Sequence, residues 1–428
     1  MLVRGLKIRK ILATNSRPTI EVELKTKAGD ARAAVPMGTS RGRHEAVALP
    51  ADEAIRKFNL ISRHFKAEEF YSLDDVDLTL HTIDKSSDFR DIGGNLALGI
   101  SSAFLKAFAL EKGLEVFEYT YALAAQKAKD DANRRMQATL EQKQRPRITM
   151  PMPICNVVGG WKGGSGAGQS DIQEFLLMPV SQTSFPSSIA NIAAAYHEIG
   201  DALGEADDDF TYGRNLESAW TTKLGIGQIL KILARIAGNR LLKLGVDMAA
   251  SNLWNGRQYS YTQGVFHITD AGDIRMEEKL IRTEQLDFVE ELTKRFPVVY
   301  VEDPFEEEDF VSHAALTHRL SGRGILVAGD DLYATGASRL QQGIDIKATN
   351  AVIVKPNQVG TITDTLAFVA AAKRAGMRTV MSHRSGETED TLISHLAVGL
   401  GCDYVKLGIS GERATKINEL LRIEEKVF

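Results

Sequence analysis

Six ionisable residues, Asp247, Glu302, Asp330, Lys355, His383 and Lys406, each close a short run of apolar, largely β-branched residues, the signature of a buried strand read to its carboxyl end. They follow one another at steps of 55, 28, 25, 28 and 23 residues. A strand, its crossover helix and the return take ~30 residues, so the later steps are one βα unit each. The first step is two units, or one unit with an insertion. Parallel strands closed into a barrel would bring all six groups to one mouth, the end where such folds carry their chemistry. A single charged strand end is ordinarily a solvated terminus or an ion pair. Six in register call for another explanation.

The residue types divide by task. Three carboxylates from Asp247, Glu302 and Asp330 offer hard oxygen donors, the set a Mg2+ ion takes while keeping positions open for water and substrate. Zinc is disfavoured, because no cysteine or histidine cluster accompanies them. Lys406, His383 and Arg384 imply an anionic substrate bearing carboxylate or phosphate. A lysine beside a divalent cation and a second lysine has its charged form disfavoured, which makes Lys355 a candidate base. Together these groups suit removal of a proton next to a metal-held carboxylate.

The elements that must position them come from hydrophobic periodicity. Short apolar runs at 243–246, 298–301, 325–328, 351–354, 379–381 and 403–405 alternate with helical stretches such as 361–375 and 388–400, which predicts parallel strands with crossover helices. A tail of this length suits a barrel of ~250 residues. Ahead of it, Thr19 to Thr26 and Ala31 to Val35 flank Ala28-Gly29-Asp30 and predict a hairpin, followed by helices over 51–65 and 95–112. The expected organisation is an α+β unit over 1–120, a polar helical insertion or linker over 121–147, and an α/β barrel over 148–428.

Composition excludes several function classes. With 52 basic and 56 acidic residues the 428-residue chain carries a formal charge of −4 and no block of one sign, which argues against nucleic acid as a partner. Two cysteines, Cys155 and Cys402, make no disulfide framework. No run has the ~20 apolar residues of a membrane span, and the N-terminus lacks the shape of a secretory signal. A cytoplasmic location is the expectation. The glycine-rich stretch Gly159 to Gly168 is neither a Walker loop nor GxGxxG and is expected to form a mobile lid. GxSxG and HExxH do not occur.

At these residues the sequence resembles enolase, the glycolytic phosphopyruvate hydratase. The matching words are Pro18-Thr-Ile-Glu-Val22, Ala33-Ala-Val-Pro36, Asp171-Ile-Gln-Glu-Phe175, Val246-Asp-Met-Ala-Ala-Ser251, Val301-Glu-Asp-Pro-Phe305, Gly329-Asp-Asp-Leu332, Lys355-Pro-Asn-Gln-Val-Gly-Thr361, Ser382-His-Arg-Ser-Gly-Glu-Thr-Glu-Asp390 and Leu420-Leu-Arg-Ile-Glu-Glu425. The resemblance implies an enolase-type (β/α)8 barrel behind an N-terminal meander-and-helix domain, and a homodimer or higher homo-oligomer. It implies two Mg2+ per site, the first on Asp247, Glu302 and Asp330, the second substrate-dependent and assisted by Ser40. By the same resemblance Lys355 takes the C2 proton of 2-phosphoglycerate and Lys406 stabilises the resulting charge. His383, Arg384 and Ser385 hold substrate, and Glu174 sits near the departing hydroxyl.

Departures lie in the loops. Where enolases carry Gly-Asp-Glu-Gly-Gly-Phe-Ala-Pro, this chain reads Tyr212-Gly-Arg-Asn-Leu-Glu-Ser-Ala-Trp220, so Glu217 is the candidate acid. The histidine of the second mobile loop is missing, and Lys162 is the nearest cation to replace it. Asp-Ser-Arg-Gly-Asn has become Ala13-Thr-Asn-Ser-Arg17, and Gly408-Ile-Ser-Gly-Glu-Arg413 is shorter than the usual passage. The alternatives are a paralogue acting on another phosphorylated or phosphonate carboxylic acid, and a catalytically silent binding protein.

Overall fold

The computed structural model describes residues 1–38, 42–66, 68–135, 148–160, 170–181, 184–268 and 274–427. Ser40, Lys162 and most of the glycine-rich stretch lie outside these residues.

The chain opens with an antiparallel meander of β1 (Gly5–Leu12), β2 (Pro18–Lys25) and β3 (Asp30–Ala34). The expected hairpin turn is there. Thr26 Oγ1 accepts from the Ala28 amide and donates to the Gly29 carbonyl, closing the turn at 3.1 and 3.0 Å. Alternation buries Ile20, Val22 and Leu24 on one face. Against that face lie α1 (Ala51–Ile61), α2 (Leu73–Ile83), α3 (Gly94–Glu111) and the start of α4 (Val116–Arg135). α3 is buried along most of its length, and it approaches the sheet so closely that a Cβ on Gly99 would stand 2.9 Å from Val22 Cγ2. Its Ser101 hydroxyl accepts from the Ile362 amide, and Asp77 of α2 accepts from the Thr363 amide at 3.0 Å, which ties the opening unit to the barrel.

The remainder runs β4 (Met152–Gly159), β5 (Glu174–Pro179), α5 (Phe185–Ala206), α6 (Ile226–Asn239), β6 (Leu242–Asp247), β7 (Tyr259–Ile268), β8 (Ile274–Leu280), α7 (Arg282–Arg295) and β9 (Val298–Glu302). It continues with α8 (Phe310–Arg319), β10 (Leu326–Gly329), α9 (Ala337–Ile346), β11 (Ala351–Val354), α10 (Ile362–Arg374), β12 (Arg378–Ser382), α11 (Leu392–Gly399), β13 (Tyr404–Gly408) and α12 (Ala414–Val427). β4, β5, β6 and β9 through β13 close into an eight-stranded barrel around Ile154, Leu176, Tyr300, Ile353 and Val380, and the class is α/β as expected. All six strands read from the sequence are present. The long first step is one unit carrying an insertion, the antiparallel hairpin of β7 and β8.

One strand breaks the expected uniform βα alternation. β5 runs antiparallel to both β4 and β6, and among the described residues no crossover helix lies between β4 and β5. The consequence is chemical. The mouth receives the first residue of β5, Glu174, where the parallel strands β6 and β9 offer their last. Among the described residues no helix is long and apolar enough to cross a membrane.

Candidate active site

Register alone aligns the first row of the site. Glu174 stands opposite Asp247, Asp247 opposite Glu302, and Glu302 opposite Ala328, so the three carboxylates occupy neighbouring strands at one level. Lys406 lies opposite Ser382 and Ile154 on the far wall. Its ammonium spans the barrel to reach Glu174 Oε2 at 2.5 Å, Asp247 Oδ2 at 2.7 Å and Glu302 Oε1 at 2.8 Å. Burial pushes the Lys406 pKa down, but those three carboxylates outweigh it and hold it well above the ordinary value.

The end of β11 is braced from two directions. Thr335, in the left-handed region at φ +53°, accepts from the Lys355 amide at 3.0 Å and donates to Gln358, whose amide reaches Asp330 at 3.2 Å. Lys355 itself pairs with Asp330. The sequence expectation placed Lys355 beside a divalent cation; here the group against its ammonium is the Asp330 carboxylate. Burial lowers the Lys355 pKa, and the carboxylates around it, Asp330 first and then Glu302, together leave it above the ordinary value. The same pairing offsets burial at Asp330, whose pKa falls.

Around these pairs acidic charge is in excess. The cleft, about 860 Å³, is lined by Glu45, Glu174, Glu217, Asp247, Asp303, Asp330 and Asp331 against Lys355, Arg384 and Lys406. Burial drives Glu302 to about 8 and Asp247 to about 6, each pushed further by neighbouring carboxylates and resisted by Lys406. Asp331 rises to about 8 through burial and Asp330. Seven carboxyls facing three cations is a donor set that fits a small, hard dication. Asp303, Asp330 and Asp331 bring ligand oxygens within 4.8 Å of one another, whereas Asp247 and Glu302 share the Lys406 ammonium.

The opposite wall is made of loops. Asn156 on β4 donates from its amide to Glu174 Oε1 at 2.9 Å and to Glu217 Oε2 at 3.1 Å, so one side chain bridges two acids. The two carboxyls bring oxygens within 4.8 Å of each other, and their pKa values are pushed apart. Burial lifts Glu174 to about 8, while at Glu217 the bond from Glu174 and the charges of Arg413 and Lys406 outweigh burial and pull the pKa down. Asn215 presents Glu217 by accepting from the Glu217 and Ala219 amides, both at 3.0 Å. His383 is 3% exposed, its ring 4.0 Å from Glu217, and neither ring nitrogen has a hydrogen bond among the described residues. Burial, then Arg413 and the two lysines, hold its pKa well below the ordinary value, so the imidazole is neutral.

The structure thus gathers Glu174, Glu217, Asp247, Glu302, Asp330, Lys355, His383, Arg384, Ser385 and Lys406 around one cleft. Besides Asp331 and Asn215, which also line the cleft, sequence reading missed four neighbours. Glu45 comes from the opening unit and meets Arg384 at 3.0 and 3.1 Å. Gln173 reaches Asp247, and Asp303 accepts from the Asp330 and Asp331 amides at 2.9 and 2.7 Å. Asn156 is the fourth. Gln173 and Asp303 sit beside residues that were found, but strict alternation points them away from the mouth. Asp303 escapes that rule by leaving β9 at φ +40°.

Comparison with known proteins matches both halves of the chain. Residues 3–120 fit the family model described as enolase, N-terminal domain, and residues 147–428 fit enolase, C-terminal TIM barrel domain. The enolase of Methanocorpusculum labreanum is 35% identical over 435 residues, covering 99% of each chain. That of Pyrobaculum aerophilum is 36% identical across 97% of this chain and 94% of its own. That of Methanothermobacter thermautotrophicus is 33% identical across 100% and 97%.

Proposed function

The chain belongs to the enolase family, and on that premise we propose that it interconverts 2-phosphoglycerate and phosphoenolpyruvate as a Mg2+-dependent hydro-lyase. The observation that carries the reading is the surplus of buried carboxyls facing two lysines across one cleft. Asp247, Glu302 and Asp330 would hold the first Mg2+, and Ser40 would assist the second. A cation held by these carboxylates would supply positive charge that offsets the substrate carboxylate.

The protein's own groups then divide the reaction. Lys355 removes the proton at C2. Lys406, kept charged by three carboxylates, stabilises the negative charge that develops on the substrate. The electron pair left at C2 forms the new double bond to C3 and expels the hydroxyl. That hydroxyl takes the proton shared by Glu174 and Glu217 and leaves as water, since a positioned acid is worth ~100- to 10,000-fold. His383, Arg384 and Ser385 hold the anionic end, and Lys162 takes the place of the family's loop histidine. The protein acts in glycolysis in the cytoplasm as a homodimer or larger homo-oligomer, the commonest symmetry being twofold; sedimentation of a monomer at micromolar concentration would contradict the oligomer.

The test is direct. Purified protein with Mg2+ and 2-phosphoglycerate should develop the ultraviolet absorbance of the conjugated enol product. Exchange of the C2 proton without that absorbance would point instead to another phosphorylated acid as substrate.

A further inference from the structure

Arg413 is fully buried just before α12, behind the residues that line the cleft. Its Nη2 donates to the Leu216 carbonyl at 3.1 Å and to the Ser385 carbonyl at 2.7 Å. Leu216 immediately precedes Glu217, and Ser385 ends the His383-Arg384-Ser385 word. One nitrogen therefore joins the two loops that form the acid side of the cleft. Beneath it, β13 comes so near that a Cβ on Gly408 would lie 2.5 Å from the Glu217 carbonyl oxygen and 2.9 Å from Arg413 Cγ.

The guanidinium is poorly compensated for a buried charge. Its Nε and Nη1 have no hydrogen bond among the described residues, and Glu412 Oε1 stands 3.9 Å from Nε. Burying such a group costs stability that an apolar side chain of similar length would not. Its value must lie in what it holds. We propose that Arg413 is a positioning residue that clasps the Glu217 loop to the His383–Ser385 loop and fixes the distance between acid and substrate-holding groups. Its charge also reaches both loops: it lowers the pKa of Glu217, which leaves the proton of the pair to Glu174, and that of His383. Outer contacts from the same turn, Ser410 with Arg214 at 2.9 Å and Glu412 with Ser218 at 3.4 Å, support the Glu217 loop alone and do not reach the other.

This inference rests on the proposed roles of Glu217 and His383, so its test includes a readout that needs no substrate. In Arg413→Met, amide hydrogen exchange should quicken together over residues 213–219 and 383–387. With 2-phosphoglycerate, kcat for elimination should fall about 100-fold, the cost of a misplaced group, while C2 proton exchange stays within about twofold. Arg413→Lys should recover part of the loss. In a Glu217→Gln background, Arg413→Met should add nothing further. Should Arg413→Met fail to fold, Gly408→Ala must produce the same selective loss by pressing on the same clasp. A lower melting temperature with unchanged kinetics, or equal loss of exchange and elimination, overturns the proposal. Coupled loosening of both loops in a protein that never turns over 2-phosphoglycerate would leave the clasp standing and refute the assigned reaction.

Discussion

The two walls of the cleft are held by different means. On the strand wall, Asp247, Glu302 and Lys406 are placed by barrel register, each by a ladder that extends well beyond the site. On the loop wall, Glu217 and the loop that follows His383 depend on single side chains: Asn156 donates to the Glu217 carboxylate, Asn215 accepts from the Ala219 amide, and Arg413 donates to the Ser385 carbonyl. A barrel ladder cannot shift one residue without turning every side chain over. A loop can move by an ångström when one hydrogen bond is lost. Groups whose placement tolerates little change therefore sit on the strands, and the adjustable part of the site sits on the loops.

The largest effect that would break this comparison comes from the strand wall. Lys355→Ala should stop C2 proton exchange with solvent deuterium, lowering it ~100- to 10,000-fold, while a substrate complex still forms; exchange at the original rate would mean that another group is the base. Next, Asp247→Ala, Glu302→Ala and Asp330→Ala should each abolish calorimetric binding of Mg2+ at the first site. Unchanged affinity in all three would remove the metal assignment.

Legibility in the sequence follows the same division. A strand end announces itself through an apolar run and its terminal charge, so Asp247, Glu302, Asp330, Lys355, His383 and Lys406 could be found from periodicity and spacing. β4 and β5 were harder to see: β4 carries Pro153, and β5 is six residues long with Pro179 at its end. With β5 unseen, its reversed direction was hidden too, so Glu174 was reached only through resemblance. Glu45 lies about 340 residues from Arg384 in the chain, and no local pattern announces a contact of that span. Asn156 reads as a polar interruption of a strand until its two carboxyl partners are in place.

The loop wall offers a smaller effect. Asn215→Ala removes the acceptor for two amides and should cost about 1 kcal/mol of stability. It should slow elimination about 10- to 100-fold while C2 exchange continues. Equal slowing of both steps would show that the two walls are not separable.

The smallest effect concerns a charge buried outside either wall. Asp77, 1% exposed between α2 and α10, is pushed up to about 7 by burial, against an ordinary value of 3.8, although bonds from Ser101 and Thr363 resist the shift. The folded carboxyl keeps its proton to about pH 7 and the unfolded one only to about pH 4, so folding binds a proton between them. Stability should decline as pH rises through that window, by at most about 4 kcal/mol. Asp77→Asn should flatten that decline in chemical denaturation; an unchanged slope would show that Asp77 is ionised in the folded protein.

The central claim is that base and acid are separately held, Lys355 at the end of β11 and Glu217 by the loop that carries it. Glu217→Gln tests it in one sample of 2-phosphoglycerate, Mg2+ and deuterated water, with C2 exchange followed by NMR and enol formation by absorbance. The account predicts that exchange persists at close to the original rate while elimination is lost. Full elimination in Glu217→Gln, or loss of exchange along with it, would contradict the account.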